Sequence, residues 1–152
     1  MTPGHPATLG CQDDAVSHSP QPYVRGHLVL VIDCGDLDRA ARFWTSVLGY
    51  DRAGPPGGPY QGLVPVGGQG IEILLQHVPD SKTGKNRLHL DLRTPDLDAE
   101  VERVVGLGAR QLTSMPVTEA DWRWHILADP DGNEFCVLQP PGAYWEHQPL
   151  GQ

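Results

Sequence analysis

Two spacings of apolar residues alternate along this chain, one of two residues and one of three to four, and the switches between them mark out its elements. Leu28 to Cys34 is a nearly continuous aliphatic run, the composition of a strand in a sheet core. From there the apolar positions move to Leu37, Ala40, Ala41, Trp44, Val47 and Leu48, a single helical stripe that Asp36 can cap and Gly49 can end in a left-handed turn. Trp44 belongs to that stripe and reads as core. Asp51 to Gly58 is rich in Gly and Pro and has no period, which predicts a loop. Tyr60 to Val66 and Ile71 to Val78 predict two strands around a turn at Gly67 to Gly70. Leu88, Leu90 and Leu92 then alternate with His89, Asp91 and Arg93, which predicts a strand over 88–92 with one greasy face and one ionisable face.

The second half repeats the first. Asp96-Leu97-Asp98 and Leu107-Gly108 restate Asp36-Leu37-Asp38 and Leu48-Gly49, offset by 60 residues at the aspartates and 59 at the glycines. Arg110 to Leu112 and Arg123 to Ala128 read as strands, Glu119 to Asp121 as a turn, and Asp129-Pro130-Asp131-Gly132-Asn133 as a strong turn before a closing strand at Phe135 to Leu138. Each half is therefore a strand, a helix and about three strands. Residues 1–24 mix Pro, Gly, Ser and His without periodicity and predict a flexible tail, in which His5 and His18 are solvent-facing; residues 141–152 form a C-terminal tail whose Tyr144 and Trp145 are large enough to dock back.

Composition narrows the class of partner. The 152 residues suffice for one domain with a real core. The net charge is -8, with 19 acidic residues against 11 Lys and Arg that are scattered rather than grouped, which speaks against nucleic acid or an anionic membrane as partner. There is no long apolar run and no basic-then-apolar leader, so the expectation is a soluble, cytoplasmic protein. Cys11, Cys34 and Cys136 are too widely spaced for a paired-ligand zinc motif and too few for a disulfide framework.

The order of these motifs resembles a known superfamily. Gly35-Asp36-Leu37, Phe43-Trp44 and Leu48-Gly49-Tyr50 in the first half, with Asp129-Pro130-Asp131-Gly132-Asn133-Glu134-Phe135 in the second, are similar to the vicinal oxygen chelate superfamily. Lys85-Asn86-Arg87-Leu88-His89-Leu90-Asp91-Leu92 together with Asn133-Glu134-Phe135-Cys136-Val137 resembles its glyoxalase-like branch, within the glyoxalase/bleomycin resistance/dioxygenase family. The resemblance implies an α+β fold of two βαβββ modules whose sheets curl into a cup with the helices packed outside. The domain spans 25–140, with module one at about 27–78 and module two at about 87–139. It also implies one divalent metal (Zn, Mn, Fe or Ni) on the cup floor, and a homodimer.

Carried over residue by residue, the metal positions fall on His89, Glu72 and Cys136. The fourth falls on Val29, which cannot ligate, so the ligand set is incomplete. Cys136 is read either as a thiolate ligand or as a small buried core residue, and Glu134 as a rim residue. By strand parity Asp33 and Val31 follow Val29, Asp91 and Arg93 follow His89, and Leu74 and Gln76 follow Glu72 on the cup face. Asp33 and Asp91 are the candidate catalytic bases, and Gln76, Trp124 and His125 the candidate ligand contacts. Two function classes follow. One is a lyase or isomerase that polarises a substrate oxygen; the other is a metal-free, ligand-sequestering protein of the bleomycin-resistance kind, whose acidic cup with Trp side chains suits a cationic, partly aromatic ligand.

Overall fold

The computed structural model describes residues 28–55 and 57–146; the tail expected at 1–24 lies outside them. Among the described residues the chain runs β1 (Val29–Cys34), α1 (Leu37–Leu48), β2 (Tyr50–Ala53), β3 (Tyr60–Pro65), β4 (Glu72–His77), β5 (Asp91–Arg93), α2 (Leu97–Gly106), β6 (Arg110–Gln111), β7 (Val117–Glu119), β8 (Trp122–Ala128) and β9 (Glu134–Gln139), and ends in a single 3₁₀ turn at Gly142–Tyr144. The strands form two mixed sheets, β1-β4-β3-β2 and β5-β9-β8-β6, with β7 added beside β8. In both, the strand before the helix pairs in parallel with the last strand of its own module, so the repeat in the sequence is a repeat in topology. This is the expected α+β fold of two βαβββ modules.

The helix signals act as read. Asp36 accepts the Arg39 N–H at 2.9 Å and Asp96 accepts the Ala99 N–H at 3.1 Å, so each satisfies an orphan amide of a first helical turn. Gly49 ends α1 at φ 68, a left-handed conformation that a side chain would strain. Three strand boundaries differ from the sequence pattern. Tyr50–Ala53 pairs with β3 although it shows no apolar alternation; Gly62 permits it, since a Cβ there would stand 3.3 Å from the Ala53 carbonyl oxygen. Val117–Glu119, exposed throughout, is likewise held by backbone pairing to β8 alone. Conversely, the strand predicted over 88–92 begins only at Asp91. Leu88 is 74% exposed and buries nothing, and His89 lies in the segment leading into β5.

The core joins the modules. Trp44 of α1 stacks edge-on against Phe43 and against Phe135 of β9, at centroid separations of 5.1 and 5.4 Å. Its indole N–H donates to buried Asp129 at 3.2 Å. Arg39 of α1 pairs with Asp131 at 2.7 Å, and Arg103 of α2 donates to the Ser46 and Val47 carbonyls, which α1 leaves unpaired at its C-terminal end. These bonds fix one module on the other and so fix the cup. No helix of the described residues is long and apolar enough to cross a membrane.

Candidate functional site

The faces of both sheets follow from register. In the second, Asp91 pairs with Cys136, Cys136 with Ile126, and Leu138 with Trp124. Side chains of directly paired residues point to the same side, so these five share one face. That face lines a cavity of about 300 Å3 bounded by Lys85, His89, Asp91, Trp124, Ile126, Glu134, Phe135, Cys136 and Leu138. Trp124, Ile126 and Leu138 make an apolar wall; the opposite pole is ionisable.

At that pole the possible ligand atoms of His89, Asp91 and Cys136 all lie within 4.8 Å of one another. His89 Nδ1 stands 3.0 Å from Asp91 Oδ1. An ionised carboxylate only accepts, so the proton between them sits on Nδ1, and in the neutral imidazole Nε2 is then the nitrogen with the lone pair. The Cys136 thiol is 8% exposed; burial, then the charge and hydrogen bond of Asp91, push its pKa up to about 11. Glu134 sits at the rim, 3.7 Å from both Lys82 and Lys85. Lys85, Ile126 and Leu138 were not singled out as site residues from the sequence, although strand alternation from Trp124 leads to Ile126.

The other expected residues separate into three groups. Asp33 shares a second groove of about 240 Å3 with His89, between β1 and the segment before β5. Glu72 and Gln76 face the same side as Val29 and Asp33, their partners in the first sheet. That face carries the expected parity, but both residues stand outside the His89 cavity and Glu72 outside the group of three ligand atoms. His125 lies on the reverse face of β8 and is 6% exposed. Its Nδ1 meets Thr113 Oγ1 at 2.9 Å, Gln111 Nε2 at 3.0 Å and the Thr113 carbonyl at 3.1 Å, which makes it a satisfied core histidine rather than a ligand contact.

The paired βαβββ modules are those that the resemblance to the vicinal oxygen chelate superfamily implies. The glyoxalase-like domain family matches residues 29–138, and the chain belongs to it. No curated protein matches the sequence. Among solved structures, a glyoxalase/bleomycin resistance protein/dioxygenase family enzyme from Burkholderia phytofirmans is similar at TM-score 0.61 and 17% identity, over 74% of this chain and 97% of that one. The fosfomycin resistance protein FosX from Listeria monocytogenes, in a mutant complexed with Mn(II) and 1S,2S-dihydroxypropylphosphonic acid, is similar at TM-score 0.62 and 16% identity, over 78% and 93%. TioX from Micromonospora is similar at TM-score 0.53 and 17% identity, over 76% and 99%. At these identities the likeness is one of fold.

The donor set bears on the metal that the family implies. An imidazole, a carboxylate and a thiol within 4.8 Å of one another fit a borderline-soft ion such as zinc better than an oxygen-loving one. Of the set expected from the sequence, His89 and Cys136 converge within that distance and Glu72 is not among the three.

Proposed function

We propose that the chain binds a small molecule in the cavity over its second sheet and acts on it as a lyase or isomerase that polarises a substrate oxygen. One observation carries this reading: His89, Asp91 and Cys136 converge at one pole of a cavity whose other walls are apolar. In this reading Asp91 holds His89 in the tautomer that presents Nε2, and Nε2 is the group able to take a proton or a metal. His89, Cys136 and Asp91 would hold one divalent ion, zinc before manganese, iron or nickel. When bound, it supplies a Lewis acid to a carbonyl or hydroxyl oxygen. Trp124, Ile126 and Leu138 orient the apolar part of the ligand and exclude water from the pole. Asp33, across His89 in the neighbouring groove, is a second candidate for proton transfer.

The test is metal content. Full-length protein with His5 and His18 replaced by alanine is purified without chelator, beside the same protein carrying His89→Ala. Near-stoichiometric metal in the first and loss in the second are expected; less than about a tenth of an equivalent in both overturns the metal reading.

A second reading, a metal-free sequestering protein, is favoured by Val29, which leaves the first module without a ligand at its matching position. A thermal-shift screen without added metal would show it as stabilised hits that survive His89→Ala. A cytoplasmic location agrees with the free thiols of Cys34 and Cys136. In a homodimer, exposed Leu28, Val31 and Leu88 are apolar residues a second copy would cover.

A further inference from the structure

The chain after β9 turns back onto the face that carries the cavity. Tyr144 packs edge-on against Trp122 at 5.5 Å, and Trp145 against Tyr144 at 5.0 Å. Trp122 precedes Trp124 by two residues on β8, so both rings stand on the cavity side of the sheet. Arg93, two residues beyond Asp91 on β5, shares that side and reaches both rings: its guanidinium carbon lies 5.7 Å from the Trp122 centroid and 5.3 Å from that of Tyr144. Arg93 also donates to the Tyr144 hydroxyl. Residues 140–145 thus form a strap beside the end of the cavity lined by Leu138 and Trp124, and Tyr144 of the strap lies against an exposed cation just outside the cavity lining.

Two features make this cation more than an anchor for the strap. Arg93 takes part in none of the ion pairs among the described residues, in a chain with 19 acidic side chains. A guanidinium has five donors in a fork suited to oxyanions, and the one hydrogen bond described for it goes to a neutral phenol, a weaker partner than a carboxylate. The cage of Trp122 and Tyr144, which would have suited a cationic ligand, already holds a cation of the protein's own. What this end of the cup can offer a ligand is therefore positive charge.

We propose that Arg93 binds the anionic end of the ligand, a carboxylate or phosphonate on an apolar stem, and that the Tyr144 hydroxyl occupies one of its donors until the ligand displaces it. The proposal rests on the cavity being the ligand site but not on a metal being there. Two residues of strand place Arg93 about 7 Å beyond Asp91. A ligand whose oxyanion lies about that far from the group presented to His89 reaches both poles, with its stem on Leu138 and Trp124.

The experiment uses three probes with one stem: 3-phenylpropionate, the corresponding phosphonate, and the corresponding primary ammonium. Each is titrated into the full chain by tryptophan fluorescence. Both oxyanions are expected to bind at least about tenfold more tightly than the ammonium, with Arg93→Gln losing about tenfold or more. Tyr144→Phe, which keeps the stacked ring and removes the competing hydroxyl, should tighten oxyanion binding severalfold, a gain that a purely structural stack would not give. Either oxyanion winning supports the proposal and tells planar from tetrahedral recognition. Equal oxyanion binding by a folded Arg93→Gln, no gain in Tyr144→Phe, preference for the ammonium, or no oxyanion binding would each overturn it. Metal content separates the two readings: metal lost in His89→Ala with oxyanion binding retained leaves the Arg93 site standing, and an unsubstituted chain that holds metal but binds neither oxyanion removes the Arg93 site alone.

Discussion

Asp91 stands directly opposite Cys136 in the parallel pairing of β5 with β9, and the same carboxylate takes the Nδ1–H of His89 at 3.0 Å. The ionisable pole is therefore built within the second module, around an aspartate that touches both of its neighbours. Asp91→Asn keeps the size of the side chain and removes its charge and its hold on the imidazole. It should lower zinc affinity by at least about 10- to 100-fold, the usual effect of losing a carboxylate behind a ligating histidine, since Asp91 both orients His89 and offers an oxygen of its own. Glu72→Gln should leave zinc affinity unchanged, and equilibrium dialysis of the two variants distinguishes this pole from one that draws on the first sheet.

The thiol at the pole gives a pH signature. With its pKa pushed up to about 11 from an ordinary 9.0, Cys136 stays protonated in the folded protein over a range where the unfolded chain ionises. The native state then binds more protons than the unfolded one, so stability falls as pH rises from about 9 to about 11. Burial raises the Cys34 thiol to about 11 as well, so in a background with Cys11→Ser and Cys34→Ala, alkylation of Cys136 by iodoacetamide should accelerate through about pH 11. In Asp91→Asn the acceleration should move toward 9.0, because two of the causes that raise the value act through Asp91.

The bond between Trp44 and Asp129 joins the modules through a buried carboxylate, 4% exposed, that also accepts from the Asn133 backbone N–H and side-chain amide and from the Asp131 N–H. Asp129→Asn turns an amide toward these donors and should cost about 1–3 kcal/mol in urea denaturation. Burial raises the Asp129 pKa, so in wild type this group adds stability as pH falls from neutral through its raised value. The asparagine variant should lack that increment.

Trp124→Ala removes the largest apolar wall of the cavity without touching the pole. Binding of an aromatic ligand should weaken by about tenfold or more, as expected for loss of a buried aromatic contact, while metal content stays as in wild type. Parallel calorimetric titrations with ligand and with zinc check both halves of the expectation.

Local rules fixed a large part of this fold. Helix caps at Asp36 and Asp96, the stop at Gly49 and the aliphatic run of β1 act within a few residues of chain and were legible as such, and the 60-residue repeat of these signals showed the two modules. Tyr50–Ala53 was not, because an edge strand held by backbone pairing needs no apolar signature of its own. His125 was ambiguous for a related reason: alternation says that it opposes Trp124, but only the position of Thr113 and Gln111 shows which face holds the core.

The sequence by itself determined the two modules, their helices and which side chains share a strand face, since a period of two or of 3.6 is a property of the local backbone. The tertiary structure alone decided the composition of the site. Residues 91 and 136 meet because two strands distant in sequence dock in one register, Glu72 stands apart because its strand belongs to the other sheet, and Arg93 meets Tyr144 because the chain end folds back toward it. Register between distant strands is set by packing across the whole core, with Trp44, Phe43 and Phe135 at its centre, and no local pattern carries that information.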